Sequence, residues 1–241
     1  MTPQRLWRPT RRFLFGHHPR LDLGLLVLLL VAASAAWAFV AVADQVLEGD
    51  TRSWDEALLM ALREPADPTD PLGPEWLEEA MRDLTAFGGT VAILGFSLVA
   101  LGFLWLERRH AIAVVLLVAV GGGVTLSSLL KQGFARPRPD LVPHLSHVVT
   151  SSFPSGHSMV SAVAYLTLGA LLARTLRDPR LKIYVLGCAA TLTVLVGTSR
   201  VYLGVHWPSD VLAGWAGGAF WAASCSYVAL RLQLRGRIEP E

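Results

Sequence analysis

Long apolar runs constrain this chain more than any other feature. Crossing roughly 30 Å of hydrocarbon takes about 20 mostly apolar residues in a helix. Six stretches approach or reach that length, at about 21–43, 88–106, 111–130, 158–174, 181–198 and 211–231. The fourth and fifth are near the short end. Composition agrees: 53% of the 241 residues are hydrophobic and only 17% are charged, where soluble domains carry about 25% charged residues. The expected fold class is therefore all-α, a polytopic membrane protein of six transmembrane helices. An acidic, partly helical outer loop over 44–87 would join helices 1 and 2. The expected organisation is a basic N-terminal segment at 1–20, a membrane domain at 21–231 and a tail at 232–241. The first run is longer than a signal-peptide core and no small-residue cleavage site stands out, so it reads as a retained anchor.

Charge sets the orientation. Arg5, Arg8, Arg11, Arg12 and Arg20 precede the first run, and Arg108 and Arg109 separate the second and third. Arg174, Arg177, Arg180 and Lys182 separate the fourth and fifth, while Arg231, Arg235 and Arg237 follow the sixth. With six spans these four segments share one side, which the positive-inside rule makes cytoplasmic. The net charge of +2 is then a topology signal, and no nucleic-acid partner is expected. Cys188 and Cys225 both fall within apolar runs and read as small packing residues rather than a metal pair.

The outer loop has its own signals. Ser53-Trp54-Asp55-Glu56 fits a capping box ahead of Leu58, Leu59 and Leu62. Pro65, Pro68, Pro71 and Pro74 then interrupt the chain, and a second helix is expected to start at Pro74, with Glu75, Glu78 and Glu79 in its first turns. Both helices read as amphipathic, either as a lid or wall beside a lipid site or as a solvated connection. Gly121, Gly122 and Gly123 in the third run, and Gly214 and Gly218 in the sixth, allow close helix approach.

Three polar clusters break the apolar pattern, each at the end of a run and all on the side opposite the basic segments. Lys131 is followed by Arg138, with Pro137 and Pro139 stiffening the loop. Two such cations can neutralise phosphate oxygens, although basic residues at a span end can also merely anchor to headgroups. Pro154-Ser155-Gly156-His157 opens the fourth run: Gly156 lets backbone N–H groups approach an anion, Ser155 offers a hydroxyl, and His157 can deliver a proton near neutral pH. Arg200, His206 and Asp210 lie between the fifth and sixth runs, with Pro208 suited to the first turn of the last helix. Asp210 can accept from one ring nitrogen of His206 and leave the other as a free lone pair, the arrangement of an oriented nucleophile. Taken singly, His206 could be an interfacial polar residue and Asp210 a helix-start carboxylate. Together, ionisable groups of complementary type at membrane depth point to phosphate chemistry.

The three clusters resemble the signature of the type 2 phosphatidic acid phosphatase superfamily of integral membrane lipid phosphatases: Lys-x6-Arg-Pro, Pro-Ser-Gly-His and Ser-Arg-x5-His-x3-Asp. All three are matched in order and without substitution by Lys131 to Pro139, Pro154 to His157, and Ser199 to Asp210. Arg136-Pro137 is a second Arg-Pro pair, but the family spacing from Lys131 selects Arg138. The resemblance implies that Lys131, Arg138 and Arg200 bind phosphate oxygens, assisted by Ser155 and the Gly156 backbone. His206 would attack phosphorus, Asp210 would orient it, and His157 would protonate the leaving oxygen and then activate water. It implies no metal and no cofactor. The implied partners are a lipid phosphate or diphosphate substrate and membrane lipids. The implied setting is the bacterial plasma membrane, with cytoplasmic termini and an outward-facing site. Relatives of this size act on undecaprenyl diphosphate, phosphatidylglycerol phosphate or phosphatidic acid, and the outward site slightly favours the first. Two alternatives stand beside this reading: a phosphotransferase using His206 with an acceptor other than water, and a non-catalytic lipid transporter or scaffold, against which the intact His157, His206 and Asp210 argue.

Overall fold

A computed structural model describes residues 19–146 and 150–235. The basic residues Arg5, Arg8, Arg11, Arg12 and Arg237 lie outside the described residues, as do His147 to Val149. Eight helices follow in order: α1 (Pro19–Glu48), α2 (Arg52–Met60), α3 (Glu75–Ala86), α4 (Thr90–Leu106), α5 (His110–Phe134), α6 (Gly156–Thr175), α7 (Pro179–Tyr202) and α8 (Pro208–Leu234). Every apolar run is helical. Four helices meet the length and hydropathy needed to cross a membrane on their own: α1 from Leu23, α5, α6 and α7. The chain is thus an integral membrane protein by its apolar helices. Two expected spans fall short for separable reasons. α4 has 17 residues and continues from α3 through a 48° bend, so the pair passes only as a broken helix. α8 has 27 residues but is rich in Gly, Ala, Ser and Trp, which lowers its hydropathy.

The outward surface is apolar, with Val91, Leu106 and Ile183 all more than 70% exposed. A water-facing domain would not show so extended an apolar face. The interior is built instead by small residues. α6 is central and packs against α5, α7 and α8, while α8 also carries α1. A Cβ on Gly218 would stand 2.5 Å from the Ala162 Cβ, and one on Gly123 would stand 2.8 Å from Val163. Gly122 is equally closed by Trp221, whereas Gly121 faces open space. Cys188 is exposed on the apolar face of α7 and Cys225 is half-buried, so only the latter can help to pack the bundle.

The outer loop is more ordered than its prolines suggest. Arg63–Glu64 (β1) and Asp67–Pro71 (β2) pair antiparallel, adding a short ribbon to an otherwise helical fold. The expected capping box does not form. Thr51 is the N-cap of α2 and makes no side-chain cap bond, which leaves Ser53 inside the first turn. Asp55 is instead drawn away to a distant partner, as described below. Pro74 is the N-cap of α3 rather than its first residue, with Glu75 and Glu78 in the first turn as expected. Leu59 of α2 is fully buried in a cluster with Val142, Val201, Trp207 and Val211, so this helix is seated in the protein.

Candidate active site

Helix directions alternate along the chain. The C-termini of α5 and α7 and the N-termini of α6 and α8 therefore share one end of the bundle. This brings Lys131, Ser155, Gly156, His157, Arg200, His206 and Asp210 together from separate elements. α5 ends at a C-cap with left-handed backbone, Ala135 at φ 47°, and the following loop carries Arg136 and Arg138 back over the site. Between Arg200 and His206 the chain turns at Gly204, with φ 72° and a would-be Cβ 2.8 Å from Val142 and 2.9 Å from the Pro143 carbonyl. Only glycine satisfies both demands.

His206 is the centre of this arrangement. It is 2% exposed, and Asp210 is fully buried. His206 Nδ1 lies 3.3 Å from Asp210 Oδ2. The same carboxylate oxygen accepts from the Trp207 backbone N–H at 2.9 Å and from the Ser152 hydroxyl through a short bond. On the other side of the ring, Arg138 Nη1 lies 3.2 Å from His206 Nε2 and donates to the Val205 carbonyl at 2.6 Å. A guanidinium has only donors and an ionised carboxylate only acceptors. The two neighbours therefore impose one tautomer: Nδ1 carries the proton and Nε2 presents its lone pair. Burial pushes the His206 pKa down to about 3, outweighing the opposing pull of Asp210, so the ring is neutral at pH 7. Burial also lowers the pKa of the Arg138 guanidinium, which nonetheless stays charged.

The other expected residues take up distinct positions. Lys131 Nζ donates to the Ser151 carbonyl at 2.6 Å, and a Cβ on Gly156 would crowd the Lys131 stem at 3.2 Å. Gly156 thus makes room for the lysine as well as opening α6. Arg200 is buried and donates through Nη1 to the Thr85 hydroxyl at 2.8 Å, while its Nε has no hydrogen-bond partner among the described residues. A buried N–H left open in this way is costly unless something else accepts from it. His157 is half-buried in the second position of α6, within electrostatic reach of Arg200, His206, Lys131 and Arg138. Ser155 is engaged as a helix cap. It is fully buried as the N-cap of α6, accepting from the Ser158 N–H at 3.4 Å and the Ser158 hydroxyl at 2.9 Å. Its first role is to fix the helix that presents His157. A would-be Cβ on Gly214 sits 2.8 Å from the Ser155 carbonyl, so α8 is pressed directly against this cap.

Three residues of the site escape motif reading. Ser152 bridges Asp210 and His206, two positions ahead of the Pro-Ser-Gly-His cluster. Arg136 donates to Asp210 Oδ1 at 2.7 Å and to Asp55 Oδ2 at 2.8 Å. Asp55 itself comes from the outer loop. The only sequence signal was the doubled Arg-Pro pair. Among the described residues, no cluster of three or more His, Cys, Asp or Glu could hold a metal ion.

Residues 111–233 match the profile described as PAP2 superfamily. Phosphatidylglycerophosphatase B of Bacillus subtilis (strain 168) is 32% identical over 186 residues, covering 75% of this chain and 85% of that protein. An undecaprenyl-diphosphatase of Sulfolobus acidocaldarius is 29% identical over 138 residues, covering 55% of this chain and 61% of that protein. The crystal structure of a transmembrane PAP2-type phosphatidylglycerolphosphate phosphatase from Bacillus subtilis superposes with a TM-score of 0.72 at 30% identity, covering 83% of this chain and 96% of that one. With its motif residues converged on one buried histidine, and with relatives that are lipid phosphatases, this chain belongs to the PAP2 superfamily.

Proposed function

We propose that the chain is a metal-independent lipid phosphatase that works through a phosphohistidine at His206. The observation that carries this reading is the placement of His206 between Asp210, 3.3 Å from Nδ1, and Arg138, 3.2 Å from Nε2, which favours the tautomer with an Nε2 lone pair free of a proton. In the first step Nε2 attacks phosphorus and the bond to the lipid oxygen breaks. His157 gives its proton to that oxygen, which leaves as the lipid alcohol or, from a diphosphate, as the lipid monophosphate. His157 then takes a proton from water, whose oxygen attacks phosphorus. Inorganic phosphate leaves and His206 regains its lone pair. Lys131, Arg138 and Arg200 balance the charge on the non-bridging oxygens, and the incoming phosphoryl group takes over the Arg138 N–H now aimed at Nε2. The open N–H of Arg200 is a ready donor for the same group.

The substrate is a phosphate or diphosphate on a lipid tail: undecaprenyl diphosphate, phosphatidylglycerol phosphate or phosphatidic acid. In this reading α4 and α8 complete six spans, the basic ends of the bundle face the cytoplasm, and the site opens at the outer face of the plasma membrane. Phosphate release by the purified, detergent-solubilised chain from each of the three lipids, beside His206→Ala, tests the proposal. Release that disappears in the variant supports it, and undiminished release in the variant rules out His206 as nucleophile.

A further inference from the structure

Asp55, Arg136 and Asp210 form a continuous ion chain from the outer helix α2 to the site. Arg136 Nη1 donates to Asp210 Oδ1 and to the Ser209 hydroxyl, both at 2.7 Å. Arg136 Nη2 donates to Asp55 Oδ2 at 2.8 Å and to the Thr51 hydroxyl at 3.1 Å. Asp55 is fully buried. Its other oxygen accepts the Ser209 backbone N–H at 2.8 Å, an otherwise open donor in the first turn of α8. The Arg136 carbonyl accepts from the Ser152 N–H at 2.8 Å, and Ser152 in turn donates to the far oxygen of Asp210. Arg136 therefore holds one oxygen of Asp210 directly and helps to place the donor on the other.

This geometry separates Arg136 from Lys131, Arg138 and Arg200. Both of its terminal nitrogens are already engaged, and two buried carboxylates flank its single charge. It has little left with which to bind a phosphate. A planar fork can span two carboxylates in a way that a single ammonium cannot. Breaking one arm would leave a buried carboxylate short of its partner and free Asp210 to rotate away from His206.

We propose that Arg136 is a positioning residue for phosphoryl transfer, and that it couples the aim of Asp210 to the docking of the outer helix through Asp55. The segment 44–87 is then part of the catalytic apparatus, neither a simple connection nor only a cover. The inference rests on the reading of His206 as nucleophile oriented by Asp210.

The test uses the full chain in detergent micelles, with phosphatidylglycerol phosphate and phosphatidic acid as substrates and His206→Ala as reference. Arg136→Ala is expected to lower kcat about 100-fold, the scale of a small misplacement of reacting groups, with KM changed less than about threefold. Guanidinium ion added at millimolar levels should restore part of the Arg136→Ala rate, whereas Arg136→Lys should stay impaired while keeping its thermal midpoint. Asp55→Asn should lower kcat about tenfold alone and less than about twofold in the Arg136→Ala background, since both act on one coupling. If Arg136→Ala does not fold, Arg136→Lys and Asp55→Asn carry the test. Unchanged kcat in these variants, a loss confined to KM, or fully multiplicative effects overturn the proposal. Activity surviving in His206→Ala would instead overturn the reading of the nucleophile.

Discussion

Arg138 Nη1 stands 3.2 Å from His206 Nε2, on the face of the ring opposite Asp210. One contact fixes a donor against Nε2 and the other fixes an acceptor against Nδ1. The proposed nucleophile is thus prepared in the resting protein, with tautomer, orientation and charge state set by neighbours that themselves have no alternative role as donor or acceptor.

A buried neutral imidazole has a pH signature. His206 has a folded pKa of about 3 against an ordinary value of 6.5. Between those values the unfolded chain binds a proton that the folded chain does not, so this group's contribution to stability is full above about pH 6.5 and declines as pH falls toward 3. Nitrogen NMR of histidine-labelled protein, assigned with His206→Asn, should show a neutral Nδ1–H ring throughout pH 5–8. A midpoint near the ordinary value, or a proton on Nε2, would contradict the assignment.

In the proposed reaction Lys131, Arg138 and Arg200 balance the charge on the phosphoryl group. Phosphate release is therefore expected to persist in excess chelator, and vanadate should inhibit by occupying the phosphoryl position. Loss of activity in chelator that only magnesium restores would show that the three cations are insufficient.

Ser152 donates to Asp210 and faces His206 Nδ1 at 3.3 Å. Ser152→Ala removes one of three donors around a single carboxylate oxygen. It should lower kcat by about 3- to 10-fold, the scale of one net hydrogen bond, and leave KM nearly unchanged. Steady-state kinetics on the variant reads this directly. No change in kcat would mean that Trp207 N–H and His206 suffice to hold Asp210.

Gly204 makes the turn that delivers His206 from α7 to α8. Gly204→Ala would require a left-handed backbone, costing about 1–2 kcal/mol, in addition to the contacts with Val142 and the Pro143 carbonyl. A lowered thermal midpoint in detergent is expected, together with reduced activity. A variant as stable and active as the parent would show that the turn can relax.

Much of this was legible from residues alone, and the reasons differ by element. The apolar runs marked every membrane-length helix because burial in lipid demands length and hydropathy together. α8 satisfied the length but traded hydropathy for small residues. Gly214 and Gly218 are spent on approach to α6 rather than on contact with lipid. The motif residues were legible because helix alternation alone returns Lys131, His157, Arg200 and His206 to one end. Asp55 was not. Local spacing placed it in a capping box, but its carboxylate is used 154 residues away on Ser209. Arg136 was hidden beside its neighbour Arg138, since two Arg-Pro pairs in succession do not reveal which guanidinium faces inward to carboxylates. The cap formed by Ser155 on α6 was equally hidden, because its motif drew attention to phosphate alone. Long-range pairing of this kind has no sequence period, and only the assembled fold displays it.

Every proposed role in the site depends on a bond between His206 Nε2 and phosphorus. The most direct measurement is rapid acid-free quench of the purified chain with radiolabelled phosphatidic acid or phosphatidylglycerol phosphate, followed by peptide mapping of the trapped label. An acid-labile, base-stable label is expected on the peptide containing His206 in the parent protein and is expected to be absent in His206→Ala. Turnover with label on a residue other than His206, or with no label on His206 at any quench time, would overturn it.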